Sequence, residues 1–562
     1  MSWLQKITNL LGTHGSAQRA AAPAGGETIA RSGAAVTEFS NGMAAYTSGD
    51  YELAARCFNA AIEARHDADD AYYYLGLAYL NLHLVEDAVD SLVMATHFRP
   101  AFAPAWYSLA LAVRQRGDHR EAVRCLERAI MLRPDYAEAH NELGVNALEL
   151  GDVQGAVASF ERAIAIKPDY LRAHSNLGCV LFRYLGEYER GTAHIDTAVG
   201  LDKDDSDAQC NYSMVLIHQG RLAEAIAACD RLLAAMPELD DARLNRALAL
   251  LMQGHFARAW PDYEARKRVR GNYIPRPFKF PEWRYEALVD KAILIYAEQG
   301  LGDEIMFSSC VPDLLKLGGR CVLECSPRLE NLFRRSFPGA TVHGALQSDR
   351  DTRWLTQAGR VDYQTAIGSL PGVFRRHWSD FPRHTGYLRA DPARVAHWRA
   401  SVATLGAGFT VGISWRGGTS RTRQSKRSID LMDWLPMLRR AGCHFVSLQH
   451  GTYRAEAEEA LQAAGVQVHH WQEAIDDYDE TAALVSALDL VISVQTAVVH
   501  LAGALGKPVW VMVPAMAEWR YLQSGDTMPW YPSVRLFRQS RADDWKPVID
   551  SVTTELAQWV RS

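Results

Sequence analysis

The amino-acid sequence predicts an α-solenoid followed by an α/β region made of two doubly wound parallel sheets. Two observations predict this order. A motif of helical character recurs every 34 residues over about residues 35–270. Beyond Pro281, short apolar segments of strand length alternate with helical segments, which is typical of buried parallel sheets. The chain has 562 residues, too many for one ordinary hydrophobic core, so several domains are expected.

The repeat becomes visible when three segments that end in Pro100, Pro134 and Pro168 are overlaid. Small alanines recur at matching positions inside these segments, where they let two helices pack closely, and the proline ends the second helix. The pattern resembles the tetratricopeptide repeat, and we count about seven units. Such arrays commonly bind a peptide in a groove. The alternatives are a spacer or a dimerisation surface, and the latter would make the protein a homo-oligomer.

Asparagines recur at one position of the later repeats, as Asn176, Asn211 and Asn245. Side-chain amides along a groove can pair with the backbone of an extended peptide without reading its sequence. The pattern resembles the asparagine ladder of protein O-GlcNAc transferases, and this resemblance implies a groove for an acceptor protein. Asn141 lies one position out of register, which predicts a partial ladder. Ordinary solvated helix positions are the alternative.

Composition excludes several classes of protein. The net charge is −6, so no basic field for nucleic acid is expected. No run of about 18 apolar residues occurs, so no membrane span is expected. The nine cysteines include no C-x-x-C pair, which favours a reducing, cytoplasmic environment. Residues 1–34 are rich in alanine and glycine and are expected to be a flexible leader.

The segment EQGLGDEIMF follows the apolar strand AILIY and carries the first candidate site. Gly300 and Gly302 match two positions of a dinucleotide fingerprint, but Ile305 stands at the third glycine. Asp303 in the first helical turn has two interpretations, a cap for the helix dipole or a catalytic acid–base group. Glu324, near the end of the next strand, could bind a ribose, so an NAD-dependent enzyme is a weaker alternative.

A basic loop, SWRGGTSRTRQSKRSIDL, follows the buried strand FTVGI. Open α/β sheets bind ligands at the carboxyl ends of their strands, and clustered cations there suit a phosphate or diphosphate. A solvated loop is the alternative. The cations of this loop are Arg416, Arg421, Arg423, Lys426 and Arg427.

The third candidate site is the strand–turn–helix segment LDLVISVQTAVVHLAGALGKP. Gln495 and Thr496 are predicted at the amino end of its helix, which is an anion-binding position. His500 lies one turn further on and is either a ligand or a structural histidine. Side chains that follow could stack on a base or a sugar, or could pack in the core. They are Trp519, Arg520, Trp530 and Tyr531.

Taken in order, the motifs GLGDEI, SKRSI and QTAVVHLAGALGKP resemble the GT-B glycosyltransferases. The likeness is to the heptosyltransferase-like group, glycosyltransferase family nine. It extends to bacterial proteins that fuse tetratricopeptide repeats to such a domain, some of which modify flagellin. The resemblance implies a GT-B fold of two Rossmann-like domains and makes Asp303 the candidate base.

The same resemblance assigns the phosphate-binding residues. The basic residue of the family maps to Lys426, or less directly to Arg427, and the residues of its phosphate-binding helix map to Thr496 and His500. The family usually has an aspartate where this chain has Gln495. That difference leaves the donor open.

These observations together predict a cytoplasmic bacterial glycosyltransferase that moves a sugar from a nucleotide to a Ser or Thr hydroxyl of a protein. No metal and no cofactor besides the nucleotide sugar are expected, and the resemblance implies inversion at the anomeric carbon. The alternatives are a non-catalytic scaffold with a degenerate GT-B domain and a transferase for saccharide or lipid-linked acceptors. The predicted domains are repeats over 35–270, a linker over 271–288, an acceptor-side domain over 289–400 and a donor-side domain with a closing helix over 401–562.

Overall fold

The computed structural model describes residues 25–64, 68–269, 274–418, 424–451 and 461–560. Residues 1–24 of the predicted leader, and Arg421 and Arg423 of the basic loop, lie outside these ranges. The chain divides into two compact units. The first runs to Phe182 and includes Glu187–Lys203, and the second comprises Arg183–Gly186 and Asp204–Ser562. The predicted domain limits stay predictions.

The described part of the first unit consists of five consecutive helix pairs. Their bounds are α1 Gly25–Ser48 with α2 Tyr51–Glu63, α3 Ala68–Asn81 with α4 Val85–Phe98, α5 Ala103–Gln115 with α6 His119–Leu132, α7 Ala137–Glu149 with α8 Val153–Ile166, and α9 Leu171–Val180 with α10 Tyr188–Leu201. A π-helical turn, Leu181–Leu185, follows α9.

Small residues explain why the helices of a pair pack so closely. A Cβ atom built on Gly76 would lie 2.5 Å from Cγ of Leu92, and one on Gly144 would lie 2.6 Å from Phe160. Real Cβ atoms do not approach that closely, so only glycine fits there. The tight turn inside a pair needs a positive φ, which glycine adopts without strain, as Gly151 does at 85°. The helices before Pro100, Pro134 and Pro168 end at Phe98, Leu132 and Ile166, as the repeat predicts.

The second unit begins with two further helix pairs, which pack with the α/β region. They are α11 Ser206–His218 with α12 Leu222–Ala235, and α13 Asp240–Met252 with α14 Phe256–Tyr263. A 3₁₀ turn over Glu264–Lys267 follows α14. One continuous hydrophobic core includes Leu250 and Trp260 of these helices together with Ile293 and Phe307 of the α/β region.

The first sheet has four parallel strands in the order β3-β2-β1-β4. The strands are β1 Ala292–Tyr296, β2 Arg320–Cys325, β3 Ala340–Gly344 and β4 Tyr363–Ala366. The helices of this part are α15 Leu301–Ser308, α16 Val311–Leu315, α17 Glu330–Ser336, α18 Leu355–Ala358, α19 Pro371–Phe374 and α20 Pro392–Ala403. All five residues of β1 are buried, as expected for a strand between two others.

The second sheet has seven strands in the order β10-β11-β9-β8-β5-β6-β7, parallel except for the β10–β11 pair. The strands are β5 Phe409–Ser414, β6 Cys443–Ser447, β7 Val468–His469, β8 Leu490–Ser493, β9 Val509–Val513, β10 Thr527–Met528 and β11 Tyr531–Arg538. The α-helices in the described residues of this part are α21 Leu435–Leu438, α22 Gln472–Asp476, α23 Tyr478–Ala487, α24 Ala497–Ala504 and α25 Lys546–Trp559.

Stacked repeat helices followed by two parallel α/β sheets confirm the predicted fold class. The sequence predicts strands in the apolar segments AILIYA, RCVLECS, TVGISW, HFVSLQ, LDLVISV and PVWVMVP, and each of them overlaps an observed strand. The sequence did not single out β3, β4, β7, β10 or β11, because these strands are short, partly exposed or interrupted by charges. In β11, for example, buried Val534 is followed by exposed Arg535. In the described ranges, no helix is both long and apolar enough to cross a membrane.

Candidate functional site

The candidate residues of the α/β region follow the carboxyl ends of strands. Gly300 and Asp303 come after β1, and Arg416 comes after β5. Gln495 comes after β8, and Glu518 comes after β9. In open α/β sheets this edge is where ligands bind. The first two residues belong to the four-stranded sheet and the others to the seven-stranded sheet, so the site draws on both halves of the α/β region.

The glycine loop brings α15 against α24. Gly300 is the N-cap of α15, and its backbone N–H donates to Oδ2 of Asp303 over a long 3.4 Å. A Cβ atom built on Gly302 would lie 3.0 Å from Cδ2 of His500. Gly302 therefore permits the close approach of the two helices, and Asp303 does cap its own helix as one of the two sequence interpretations expects.

Asp303 also forms an ion pair across the two halves of the α/β region. Nε of Arg520 donates to Oδ1 of Asp303 at 2.7 Å, and Nη2 of the same guanidinium donates to the same oxygen. Both side chains are largely buried, which strengthens a charge-assisted hydrogen bond. Within the described ranges, Oδ2 receives only the long bond from Gly300, so this oxygen can accept a further hydrogen bond.

Charges alternate from Asp303 into the second half of the α/β region. Glu518 lies between two arginines, with one carboxylate oxygen 3.8 Å from Nη1 of Arg520 and the other 3.8 Å from Nη1 of Arg427. Arg427 in turn donates from Nη2 to the backbone oxygen of Gln495 at 2.7 Å. These alternating charges link the glycine loop to the turn before α24. They hold the guanidinium groups of Arg520 and Arg427 near that turn.

Gln495 is the most unusual polar side chain of the site. It is 1% exposed, and neither its amide nitrogen nor its amide oxygen has a hydrogen-bond partner in the described part of the chain. Leaving one such group unsatisfied costs about 1–3 kcal/mol, so native proteins rarely do so without a reason. Thr496, the next residue, is the N-cap of α24, and its hydroxyl lies 2.9 Å from that of Ser493. Gln495 thus immediately precedes the N-cap of a helix, whose first N–H groups have no partner within the helix.

His500 is a buried, neutral imidazole in this arrangement. Its Nδ1 lies 3.1 Å from the hydroxyl of Tyr531. Burial, together with the smaller effect of the nearby Arg520 and Arg427, lowers the pKa of His500 to about 3. A neutral imidazole supplies no positive charge to a phosphate, so the packing of His500 on Gly302 is the role that its contacts describe.

The described residues of the basic loop are held in different ways. Oε1 of Gln449, just after β6, accepts from the backbone N–H groups of Trp415 at 3.0 Å and Arg416 at 2.9 Å. These bonds fix the backbone that carries Arg416. Lys426 donates from Nζ to Asp543 at 2.6 Å, in the loop before α25. The structure therefore brings Arg427 into contact with the turn before α24 and pairs Lys426 with the loop before α25.

The last helix pair holds the glycine loop from the other side. Arg266, in the turn after α14, pairs with Glu298 at 2.7 Å, and both side chains are buried. Glu298 also accepts from the backbone N–H of Gly368 at 3.0 Å. Nε2 of Gln299 donates to the hydroxyl of Tyr263 at 3.0 Å. Two consecutive residues before Gly300 are thus fixed by the end of the repeat array.

Two further acidic residues of this region are engaged in the interior. Glu304 accepts from the backbone N–H of Ser326 at 2.7 Å, and burial raises the pKa of Glu304 to about 8. Glu324 pairs with Arg276 at 2.6 Å and is fully buried. Because Glu324 has no exposed surface and its Oε2 pairs with Arg276, its contacts give no support to a ribose-binding role and hence to a dinucleotide site. Among the described residues, no three His, Cys, Asp or Glu side chains are grouped as metal ligands.

The repeat asparagines differ in what their amides contact. In the first unit, Nδ2 of Asn176 donates to Oδ1 of Asn141 at 3.0 Å, so the residue that is out of register in sequence still contacts its neighbour. In the second unit, Nδ2 of Asn245 donates to the carbonyl of Cys210 at 3.1 Å and to Oγ of Ser213 at 3.0 Å. Asn245 is buried and Asn211 is half-buried. A peptide-binding role for these residues stays a prediction.

Sequence reasoning missed several residues of this site. Glu518 and Gln449 each follow a predicted strand, so the rule that ligands bind at strand ends could have found them. Tyr263 and Arg266 carry no such signal, because they stand at the decaying end of the repeat and only the fold brings them to the glycine loop.

Comparison with known proteins gives the repeats a family and about two thirds of the chain a relative. A family model described as tetratricopeptide repeat matches residues 39–100, 107–170 and 180–240. Protein FlbA of Caulobacter vibrioides (strain ATCC 19089 / CIP 103742 / CB 15) is 33% identical over 396 residues, which are 67% of this chain and 66% of FlbA. The aligned part thus spans just under two thirds of that relative's length.

Two solved structures each resemble about a third of the chain. The crystal structure of MamA protein is 26% identical and covers 32% of this chain and 93% of its own, with a TM-score of 0.28. A thermophilic tetratricopeptide-repeat protein of Thermus thermophilus is 24% identical and covers 33% of this chain and 100% of its own, with a TM-score of 0.28.

Proposed function

Because this chain is a tetratricopeptide-repeat protein with a C-terminal α/β region, we propose that its repeats hold an acceptor protein for the α/β region to modify. The reaction proposed is transfer of a sugar from a nucleotide to a Ser or Thr hydroxyl. The observation that carries the proposal is that a candidate base and candidate phosphate-binding groups come together at the strand ends of the two sheets. Asp303 comes from the first sheet, and Arg427, Gln495 and the start of α24 come from the second.

Glycosyl transfer needs two things that this site can supply. A base must take the proton of the acceptor hydroxyl, and donors or cations must stabilise the departing phosphate. Oδ2 of Asp303, to which the described residues donate only one long hydrogen bond, is the candidate proton acceptor. The free N–H groups at the start of α24 and the guanidinium of Arg427 are the candidates for the phosphate.

The unsatisfied amide of Gln495 supports a ligand at the same place. An amide has both a donor and an acceptor, so it can pair with a neutral edge of a nucleotide or with a hydroxyl of a sugar. A carboxylate, which the resembling family usually has there, can only accept. We infer that the donor of this chain presents a donor group and an acceptor group to Gln495.

The first experiment identifies the nucleotide. Thermal shift of the full chain with UDP, ADP, GDP and CMP should single out one nucleotide, with about 2.7 kcal/mol of stabilisation at a hundred times its dissociation constant. Arg427→Met should remove that shift. Exposed Arg439, changed to Met, is the matched control and should leave the shift in place. No shift with any nucleotide at millimolar concentration would contradict the proposal.

The second experiment tests Asp303. With the matching nucleotide sugar and an acceptor protein, Asp303→Asn should keep the thermal shift and reduce transfer by about 10²-fold or more, measured by intact mass of the acceptor. Asp543→Asn, which removes an acid that contacts Lys426, is the control and should retain transfer.

The ion pair between Asp303 and Arg520 favours one rival, a non-catalytic scaffold that binds nucleotide and acceptor without reacting them. In that case the thermal shift would remain, and wild type and Asp303→Asn would both show no transfer with any matched donor. The other rival is a transferase for saccharide or lipid-linked acceptors. It is correct if such an acceptor is modified instead of a protein.

A further inference from the structure

We propose that a pocket of the second unit binds an acidic peptide segment. The pocket is formed by the last repeat pair, α13 and α14, and by the loop after α19. The pocket has a volume of about 490 Å³. One wall is the turn and first residues of α14, with His255, Phe256 and Arg258. The other is the loop with Arg376, His377 and Trp378. None of these residues belongs to the site described above.

The charge of the pocket is one-sided. Two arginines and two histidines line it, and no acidic residue does, although the chain as a whole has a net charge of −6. The nearest acid in sequence, Asp380, accepts from the backbone N–H groups of Arg376 at 3.0 Å and His377 at 2.8 Å. No ion pair of the described residues involves the guanidinium of Arg258 or that of Arg376. Two arginine forks are therefore available for carboxylates.

The pocket also has an aromatic surface that suits a polypeptide more than a small anion. Trp378 is 53% exposed, and its ring meets that of Phe256 edge-on with centroids 5.6 Å apart. Gly254, in the turn, has a positive φ of 77°, and a Cβ there would lie 3.1 Å from Nε1 of Trp378. An exposed indole held in this way offers apolar contact beside the cations, a combination enriched in protein interfaces.

The loop is anchored, so the pocket is formed before any ligand arrives. Arg375 is buried and donates to Asp313 at 2.9 Å and to the carbonyl of Ser309 at 2.8 Å. Nε1 of Trp260, on α14, donates to the carbonyl of Arg375 at 2.8 Å. Both walls are thereby tied together next to Arg376, which lowers the entropy cost of binding.

Ring contacts connect the pocket to the candidate active site. Phe256 stacks on Trp260, whose ring lies 6.0 Å from that of Trp519. Trp519 immediately precedes Arg520, the partner of Asp303. The rings of Phe256, Trp260 and Trp519 therefore form a continuous row from the pocket to the residue before Arg520. Binding of the peptide does not depend on the proposed function. Only the statement that the peptide is part of the acceptor rests on that function.

The test is isothermal titration of the full chain with acetylated, amidated hexaglutamate. The wild type should bind it, and the double variant Arg258→Gln/Arg376→Gln should bind it at least tenfold more weakly. Arg231→Gln/Arg284→Gln removes two exposed arginines outside the pocket and should change the affinity less than twofold. Trp378→Ala should also weaken binding, and a thermal melt of each variant checks that it is folded.

Three outcomes with the hexapeptides would overturn the proposal. They are absence of hexaglutamate binding at millimolar concentration, equal loss of affinity in the two double variants, and binding of hexaglutamine as tight as that of hexaglutamate. Free glutamate that binds as tightly as the peptide would show a small-anion site and would overturn a peptide site. Because titration needs no sugar donor, its failure is distinguishable from failure of glycosyl transfer.

Discussion

Asp303 has two structural roles that a sequence motif cannot separate. One carboxylate oxygen receives the N–H of Gly300 and so caps α15, and the other receives the guanidinium of Arg520. A cap alone is worth about 0.3–1 kcal/mol and would not need a partner from another sheet. The ion pair between the two sheets supports the proposed role of Asp303, because it fixes the carboxylate near the start of α24.

Glu304, its neighbour, gives a prediction about pH. Burial raises the pKa of Glu304 from 4.5 to about 8. Between these two pH values the carboxyl is protonated in the folded protein and ionised in the unfolded chain. Its contribution to stability is therefore complete below pH 4.5 and is lost as the pH rises through 8. Glu304→Gln should be more stable than wild type by a few kcal/mol at pH 8 and nearly equal at pH 4.5. Thermal melting across this range measures it, and exposed Glu473→Gln should show no such divergence.

Gln495 gives a prediction about the trade between stability and ligand binding. Gln495→Met removes a buried unsatisfied amide at similar volume, so the ligand-free protein should gain about 1–3 kcal/mol and lose its thermal shift with the matching nucleotide. Gln449→Met is the contrasting variant, since its amide is fully hydrogen-bonded, and it should lose stability. A Gln495→Met protein that melts lower than wild type would contradict this account.

At the scale of elements, the glycine loop is held by helices on two sides. α24 packs on α15 because Gly302 leaves room for His500. The turn after α14 reaches the same loop through Arg266 and Tyr263. The loop that carries Asp303 is thus positioned by the last repeat pair as well as by its own sheet.

The buried pair of Arg266 and Glu298 should show this coupling. Arg266→Met leaves a buried carboxylate without its partner and should lower stability by about 3–5 kcal/mol. Adding Glu298→Gln should restore much of the loss, because the uncompensated charge is removed. Arg353→Met, in an exposed pair with Asp351, should have little effect on the melting temperature. Equal melting of Arg266→Met and wild type would rule out the coupling.

At the scale of the whole molecule, the compact second unit begins at Asp204 apart from the short Arg183–Gly186 segment. The last two repeat pairs share one hydrophobic core with the α/β region. A cut near residue 270, where the repeat pattern fades, would therefore pass through a packed core and remove Trp260, Tyr263 and Arg266.

This difference can be measured with two fragments. Residues 204–562 should melt cooperatively and retain the thermal shift with the matching nucleotide, whereas residues 271–562 should aggregate or melt without a sharp transition. Cooperative folding of the shorter fragment, with the same nucleotide affinity, would show that the last helix pairs are dispensable to the α/β region.

The sequence by itself determined the fold class and most of the strands. The 34-residue period and the apolar segments are local patterns, and local patterns report which face of an element is buried. It also predicts Asp303, Gln495 and Thr496 as candidate site residues, because ligand positions at strand ends and helix starts follow from the order of elements, and their roles stay predictions.

Only the tertiary structure decided which of these residues meet. Three contacts join residues that are far apart in the chain. They are Asp303 with Arg520, Arg427 with Gln495, and Arg266 with Glu298. Such contacts depend on how helices and sheets pack, and no period or motif of one segment encodes its partner. For the same reason the sequence placed the end of the repeats where their pattern fades, while packing keeps the last two pairs in the second unit.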